Sequence, residues 1–386
     1  MKTAIVNAQV VCIDKIIRNG VCVFENGKII YVGTAMQPSD KTIDAHNAYL
    51  IPGFVDIHCH GGMGMSFMGG DENDFAKIAK FHLSHGTTTL VATTCTSDDE
   101  ETYGMLETYK KHKQLNPNST IQGVFMEGPW LSPLQCGAQA SDCMKLPNEK
   151  DLLLIKQKYP FVLRVGAAPE LEGGDTFGKV CVALGIIASI AHTNADFVDV
   201  ERAVENGYTL VTHLYSGMKG TERKNAYRVA GAIEAGLYFD ELTAEVIADG
   251  KHLPIELLKL IYKCKGADKI CLITDASRAA GLPDGSTTTG ISRADKGTII
   301  IEDGVAKMPD RTSFAGSAST ADRLYRTMAK AIGNDMVALS KMASHTPAKV
   351  MGFHDRGNIA IGKRADLLIM DQEWNIRKIF MEGKEI

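Results

Sequence analysis

Short apolar runs separated by turn residues open the chain: TAIVNAQVVCID, then VCVFENGKIIYVG, then KTIDAHNAYLIPG. Alternation of this kind predicts strands. The Asn-Gly of ENGK predicts a tight hairpin, because these residues accept the positive φ values that such a turn needs. The far end reads alike, GNIAIGKRADLLIMDQEWNIRKIFMEGKEI, punctuated by Gly362, Lys363-Arg364 and Glu382-Gly383. Neither end has enough strands to stand alone. Residues 1–51 and 354–386 are therefore expected to share one small β-sandwich domain.

Between them the pattern changes. FVDIHCH precedes the helical stretch DFAKIAKFHLSHG, and TTTLVATTC precedes EETYGMLETYKKH. IQGVFMEG, LRVGAAPE, ASIAHT, TLVTHL, TAEVIAD and KICLITDAS read as further strands. VDVERAVENG, IELLKLIYKC and TADRLYRTMAKAIG read as intervening helices. Apolar strands alternating with helices imply a buried parallel sheet. Eight of them predict an α/β fold, a TIM-type (β/α)8 barrel over residues 52–353.

Active sites of such barrels lie at the C-terminal ends of the strands. Those ends carry His58 and His60, Glu127, His192, His213 and Asp275. His58 and His60 are two apart on an extended segment, so both imidazoles project to one side, as two ligands of one metal do. A lone His-x-His is weak evidence, and a single strand-end histidine is more often a hydrogen-bonded structural one. The set carries the argument, since buried imidazoles and carboxylates are costly unless paired or bound to an ion. His82 and His85, on a helical stretch, are expected to be solvated or capping, and His112, in KKHK, to lie on a polar face. His354 has no strand-end context.

Composition narrows the classes. The 386 residues carry a net charge of −4 and a pI near 6.3, with no basic excess for nucleic acid or anionic lipid. An anionic substrate would need a few local cations. No apolar run approaches the ~20 residues of a membrane span, and the first residues read as a strand and not a signal peptide. Nine scattered cysteines without a CxxC pair fit buried thiols in a reducing, cytoplasmic compartment.

IPGFVDIHCHG resembles the opening of the amidohydrolase superfamily barrel. MEGPWLSPLQCGAQ, HLYSGM, ADGKH, TDASRAAGLPDG and FAGSAS, in that order, resemble the N-acetylglucosamine-6-phosphate deacetylases, and SHTPAKVMG is similar to that family's return into the small sheet. The resemblance implies metal-dependent hydrolysis of the acetamide of N-acetylglucosamine-6-phosphate. It implies one or two divalent ions per subunit, zinc first, with iron, cobalt or manganese as alternatives. Glu127, His192 and His213 match the constant metal ligands, and His58 and His60 the pair that some members use for a second ion. Asp275 matches the catalytic acid/base and His252 a substrate contact. Ala138, Ser216 and Gly217 match sugar and phosphate contacts, and Phe314, Ala315 and Gly316 the loop over the ligand. A homodimer with a shared phosphate site is usual in the family.

One segment departs. Many members follow this motif with a His-Arg-Glu-Pro-Gly segment whose arginine crosses the dimer interface to the phosphate. Here KGTERKNAYRVAGAI stands instead, with Arg228 the best match and Arg223 and Lys224 behind it. N-Acetylgalactosamine-6-phosphate is the alternative substrate. Other amidohydrolases, such as D-aminoacylases, dihydroorotases or isoaspartyl peptidases, usually carry a bridging lysine late in an early strand, where this chain is expected to place Glu127 in a fourth strand. A reading of a different class is a catalytically inactive sugar-phosphate-binding relative.

Overall fold

The computed structural model describes residues 1–290, 292–294 and 297–386. Eight parallel strands form its central sheet: β1 (Phe54–Cys59), β2 (Thr87–Thr94), β3 (Ile121–Glu127), β4 (Val162–Ala167), β5 (Ile187–Ile190), β6 (Tyr208–Val211), β7 (Thr243–Val246) and β8 (Ile270–Leu272). Each pairs with its neighbour in chain order. All eight coincide with runs read as strands from the sequence, and the sheet is buried almost throughout. Beyond their C-terminal ends β1 and β8 meet: Asp275 N donates to His58 O at 2.9 Å and His60 N to Ala276 O at 2.8 Å, with a parallel bridge between Cys59 and Ala276. The sheet therefore curls until its edges touch at that rim, consistent with the expected barrel. Glu127 ends the third strand of the central sheet and not a fourth: between FVDIHCH and TTTLVATTC only the small hairpin Gly61–Gly62 and Met65–Ser66 intervenes, outside that sheet.

Helices cover the outside: α1 (Glu72–Ser84), α2 (Asp99–Leu115), α3 (Glu149–Lys158), α4 (Gly174–Leu184), α5 (Phe197–Glu205), α6 (Ala232–Tyr238), α7 (Ile255–Lys265) and α8 (Ala321–Ile332). Val55, Val91, Phe125, Leu210 and Cys271 form one strand-borne cluster, against which Ala348 and Met351 pack. A larger one joins Leu90, Val124 and Val165 to Phe75, Leu106, Ile155 and Leu324 of the helices. The burial of two histidines corrects the reading of these helices. His82 is fully buried and bonds Gly61 O at 2.9 Å; burial drives its pKa down to about 4. His112 is also buried, against Ser119 Oγ at 2.9 Å. His85 is half-buried and faces Asp322 at 3.2 Å. After β8 comes an insertion absent from the sequence reading, three short antiparallel strands, Thr287–Thr289, Thr298–Glu302 and Val305–Lys307.

The two chain ends form one mixed eight-stranded sheet. The strand Lys2–Val11 pairs antiparallel with Ile16–Glu25 and parallel with Lys41–Asp44 and Tyr49–Pro52; Tyr49–Pro52 pairs antiparallel with Leu367–Met370. Asn26 and Gly27 both have positive φ, the hairpin turn that ENGK predicts. The strand Leu367–Met370 is apolar on both faces. Leu367 and Ile369 pack with Ile5, Val10 and Leu50 inside the terminal sheet, while Leu368 and Met370 join the cluster of the barrel. Side-chain alternation thus lets one strand cement two cores. Leu368→Ala should cost about 2–5 kcal/mol through the cavity it leaves; an unchanged midpoint in urea unfolding would contradict this role.

Candidate metal and substrate site

The strand-end residues converge. The Glu127 carboxylate, 1% exposed, stands between two pairs of imidazoles. Its Oε1 lies 2.8 Å from His213 Nε2 and 3.3 Å from His192 Nε2. Its Oε2 lies 3.3 Å from His60 Nε2 and 3.7 Å from His58 Nε2. Asp275 Oδ1 closes the second half at 3.1 Å from His60 Nε2 and 3.4 Å from His58 Nε2. His58 and His60 present their Nε2 atoms to each other at 3.1 Å. Ligand atoms about 2.0–2.1 Å from a tetrahedral ion lie about 3.4 Å from one another, which is the spacing of these edges.

The hydrogen bonds behind the rings fit an ion as well. His192 donates Nδ1–H to Gln135 O at 2.7 Å, and His58 Nδ1 meets Glu245 at 3.0 Å. Both rings then turn an Nε2 lone pair inward, as metal-ligating histidines do. His213 Nδ1 is buried without a hydrogen-bond partner among the described residues. The charges point the same way. Within this connected set Glu127, Glu245 and Asp275 bring three negative charges and Arg164 one positive; one divalent cation cancels the remainder. Without an ion the histidines take that part. Burial opposes charge on His58, but Glu245, Asp275 and Glu127 carry its pKa up to about 9. Burial alone would raise Glu127, yet His58, His192 and His213 hold it well below the usual carboxylate range. His58 and His60 likewise draw Asp275 down to about 2 against its burial. The candidate ligand groups include His58 with Glu127 and His213, and His58 with His60 and Asp275; Asp56, Cys59 and His82 form a third, fully buried set.

Above these residues opens a cavity of about 480 Å³, within the range of small-molecule sites. Ala138, Ser216, Gly217, His252, Phe314, Ala315 and Gly316 all line it, together with His60, Glu127, His192, His213 and Asp275. Ser216 already donates its backbone N–H to His213 O at 2.9 Å, so its hydroxyl is the group it offers. A Cβ on Gly217, whose φ is +56°, would stand 2.6 Å from His192 Nδ1; only glycine fits beside that ligand. His252 is oriented by Asp249, Nδ1 to Oδ2 at 2.8 Å, and packs on the Phe314 ring at 4.4 Å. Arg228 does not line the cavity. It lies exposed with Arg223 and Lys224 on the hairpin Glu222–Lys224 and Tyr227–Val229, outside its own chain's site because that hairpin projects from the loop after Gly217.

Several residues of the site and its support escape a reading of the sequence. Gln139 donates to Glu127 Oε2 at 2.7 Å and accepts from Thr96 N at 2.7 Å; it sits inside the CGAQ motif beside the chosen Ala138. Cys95 lies 3.3 Å from His60 Nδ1. Asp249, in ADGKH, has a pKa lowered, against its burial, by its bond to His252. The cavity's own cations among the described residues are Arg278, bonded to the carbonyls of Thr288 and Gly297, and Arg293, paired with Asp142 at 2.5 Å.

Comparison with known proteins agrees with this geometry. The model of the Amidohydrolase family matches residues 49–386. An N-acetylglucosamine-6-phosphate deacetylase of Bacillus subtilis (strain 168) is 30% identical over 94% of this chain and 91% of its own length. The crystal structure of an N-acetylglucosamine-6-phosphate deacetylase from Thermotoga maritima is 30% identical and superposes with a TM-score of 0.87 over 99% of both chains. A mutant N-acetyl-D-glucosamine-6-phosphate deacetylase from Mycobacterium smegmatis, in complex with N-acetyl-D-glucosamine-6-phosphate, is 27% identical with a TM-score of 0.90 over 100% of this chain and 99% of that one. With eight parallel strands, the histidine and carboxylate rim and this extent of match, the chain belongs to the amidohydrolase family and stands among its N-acetylglucosamine-6-phosphate deacetylases.

Proposed function

We propose that this protein is a metal-dependent deacetylase that hydrolyses the acetamide of N-acetylglucosamine-6-phosphate to acetate and glucosamine-6-phosphate. The observation that carries the reading is one carboxylate, Glu127, shared between two histidine pairs with Asp275 beside them, at the base of a cavity of about 480 Å³.

In this reading Glu127, His192 and His213 would hold one divalent ion, and His58 and His60 would serve a second on the other side of the same carboxylate. Zinc is our choice for imidazole and carboxylate donors, with iron, cobalt and manganese compatible. A bound ion supplies activation of water and polarisation of the amide carbonyl. The chain's own residues do the rest. Asp275 accepts the proton of the attacking water and returns it to the departing amine, a transfer an amide needs because a free amide anion is a poor leaving group. His252, tied at Nδ1 to Asp249, keeps Nε2 for the substrate. Ala138, Ser216 and Gly217 border the sugar and Phe314, Ala315 and Gly316 close over it. Arg228, with Arg223 and Lys224, is read as the phosphate-binding group of a second copy in a homodimer; its exposed place outside the lining of its own cavity supports this. The same reading takes residues 52–353 as a closed barrel and 1–51 with 354–386 as a small β-sandwich, in a cytoplasmic enzyme.

Three outcomes are expected. Acetate release should be chelator-sensitive and confined to N-acetylglucosamine-6-phosphate in a panel with N-acetylgalactosamine-6-phosphate, unphosphorylated N-acetylglucosamine and an N-acetyl-D-amino acid; turnover of another member instead would reassign the substrate. Asp275→Asn should lower kcat by about 100- to 10,000-fold while metal content stays at the wild-type level, and near-normal turnover would remove its role. The third concerns pH. The folded ion-free chain holds His58 near pKa 9, above the ~6.5 of an unfolded histidine. That contribution to stability is complete below about pH 6.5 and is lost as pH rises towards 9. Metal-free protein should melt at a lower temperature at pH 9 than at pH 6.5, and zinc should flatten the difference because the ion replaces the protons. Melting curves that do not fall with pH in the metal-free protein would refute the argument.

A further inference from the structure

Below the histidines lies a buried charged pair that the reaction does not use. Arg164 on β4 and Glu245 on β7 are both inaccessible to solvent and are bonded Nη1 to Oε1. Arg164 also donates Nε–H to Ser189 Oγ at 3.1 Å and Nη2–H to Thr212 Oγ1 at 2.8 Å. Its guanidinium lies 3.7 Å from the centre of the Phe125 ring. Through one side chain, the segments of β3 to β7 are tied together. The other Glu245 oxygen points to the rim. It accepts from His58 Nδ1 at 3.0 Å and from the backbone N–H of His213 at 3.2 Å.

Stability alone is a poor reason for such a pair, because exchanging a buried ion pair for apolar groups of similar volume is often neutral or stabilising. Direction is a better one. An imidazole offers a lone pair on Nε2 only when its proton sits on Nδ1, and an anionic acceptor behind the ring fixes that tautomer. The acceptor must itself be immobile, and Arg164 occupies its second oxygen. His213 has the further need of a brace, since its φ of +27° lies outside the relaxed regions.

We infer that Glu245, anchored by Arg164, is a positioning residue that sets the tautomer and ring plane of His58 and the backbone of His213, and thereby the affinity for the divalent ion. The inference rests on the reading of these two histidines as ligands, so its test separates the two. Two double variants remove both buried charges and differ only in the acceptor: Arg164→Met with Glu245→Gln keeps an oxygen for His58, and Arg164→Met with Glu245→Leu removes it. Competition against a chelating dye should show zinc bound about 10- to 100-fold more weakly by the leucine double, with similar melting temperatures for the two metal-free variants. Equal zinc affinities overturn the inference and leave the metal reading intact, whereas a wild-type chain that binds no zinc overturns both. Should the doubles not fold, the zinc-loaded wild type decides: imidazole nitrogen NMR should find His58 protonated at Nδ1, and a proton on Nε2 instead overturns the inference.

Discussion

Carboxylates and imidazoles cannot crowd together away from water unless the charges among them are balanced. At the rim of this barrel three carboxylates meet four histidines and a single arginine, all buried. Much of the surrounding architecture follows from that condition. The ligand-bearing residues stand at the ends of different strands, so their spacing depends on the curl of the whole sheet, and the hydrogen bonds joining β1 to the segment after β8 hold that curl where Asp275 and His58 must meet.

The backbone bends to serve the same end. His192, His213 and Asp275 all have positive φ, a conformation costing on the order of 1–3 kcal/mol for a residue with a side chain. The strain is offset locally. Asp275 N bonds His58 O and Ser317 N bonds Asp275 O at 2.7 Å, while Gly316, itself at positive φ, comes too close to the Asp275 carbonyl to carry a Cβ. A rim built this way is braced by backbone hydrogen bonds where the chemistry is, while loops line the cavity above it.

What the sequence discloses follows from the range of each interaction. Buried parallel strands read as apolar runs, and a polar residue at the end of such a run stands out, which is why His58, His60, Glu127, His192, His213 and Asp275 are legible. His82 and His112 are legible only with attention to register: Phe75, Ile78, Ala79 and His82 follow helical spacing, as do Met105, Tyr109 and His112, so the histidines belong to buried faces. Arg164 and Glu245 are single charges inside apolar strands, a sign of a buried partner, but nothing local says that the partner lies across the barrel. The three-stranded insertion is short, but Asp303-Gly304, both at positive φ and joining Thr298–Glu302 to Val305–Lys307, carries the local signature of a tight hairpin. Arg228 is recognisable by type, and its place on an exposed hairpin emerges only in three dimensions.

The terminal sheet has a consequence for the order of assembly. Tyr49–Pro52 finds one partner in Lys2–Val11 and the other in Leu367–Met370, almost the whole chain away. During synthesis the early strands wait beside an open edge until the last segment emerges, and closing so long a loop makes that pairing a late and slow event. Until that segment arrives, Tyr49–Pro52 presents an unpaired strand edge, a surface open to mispairing.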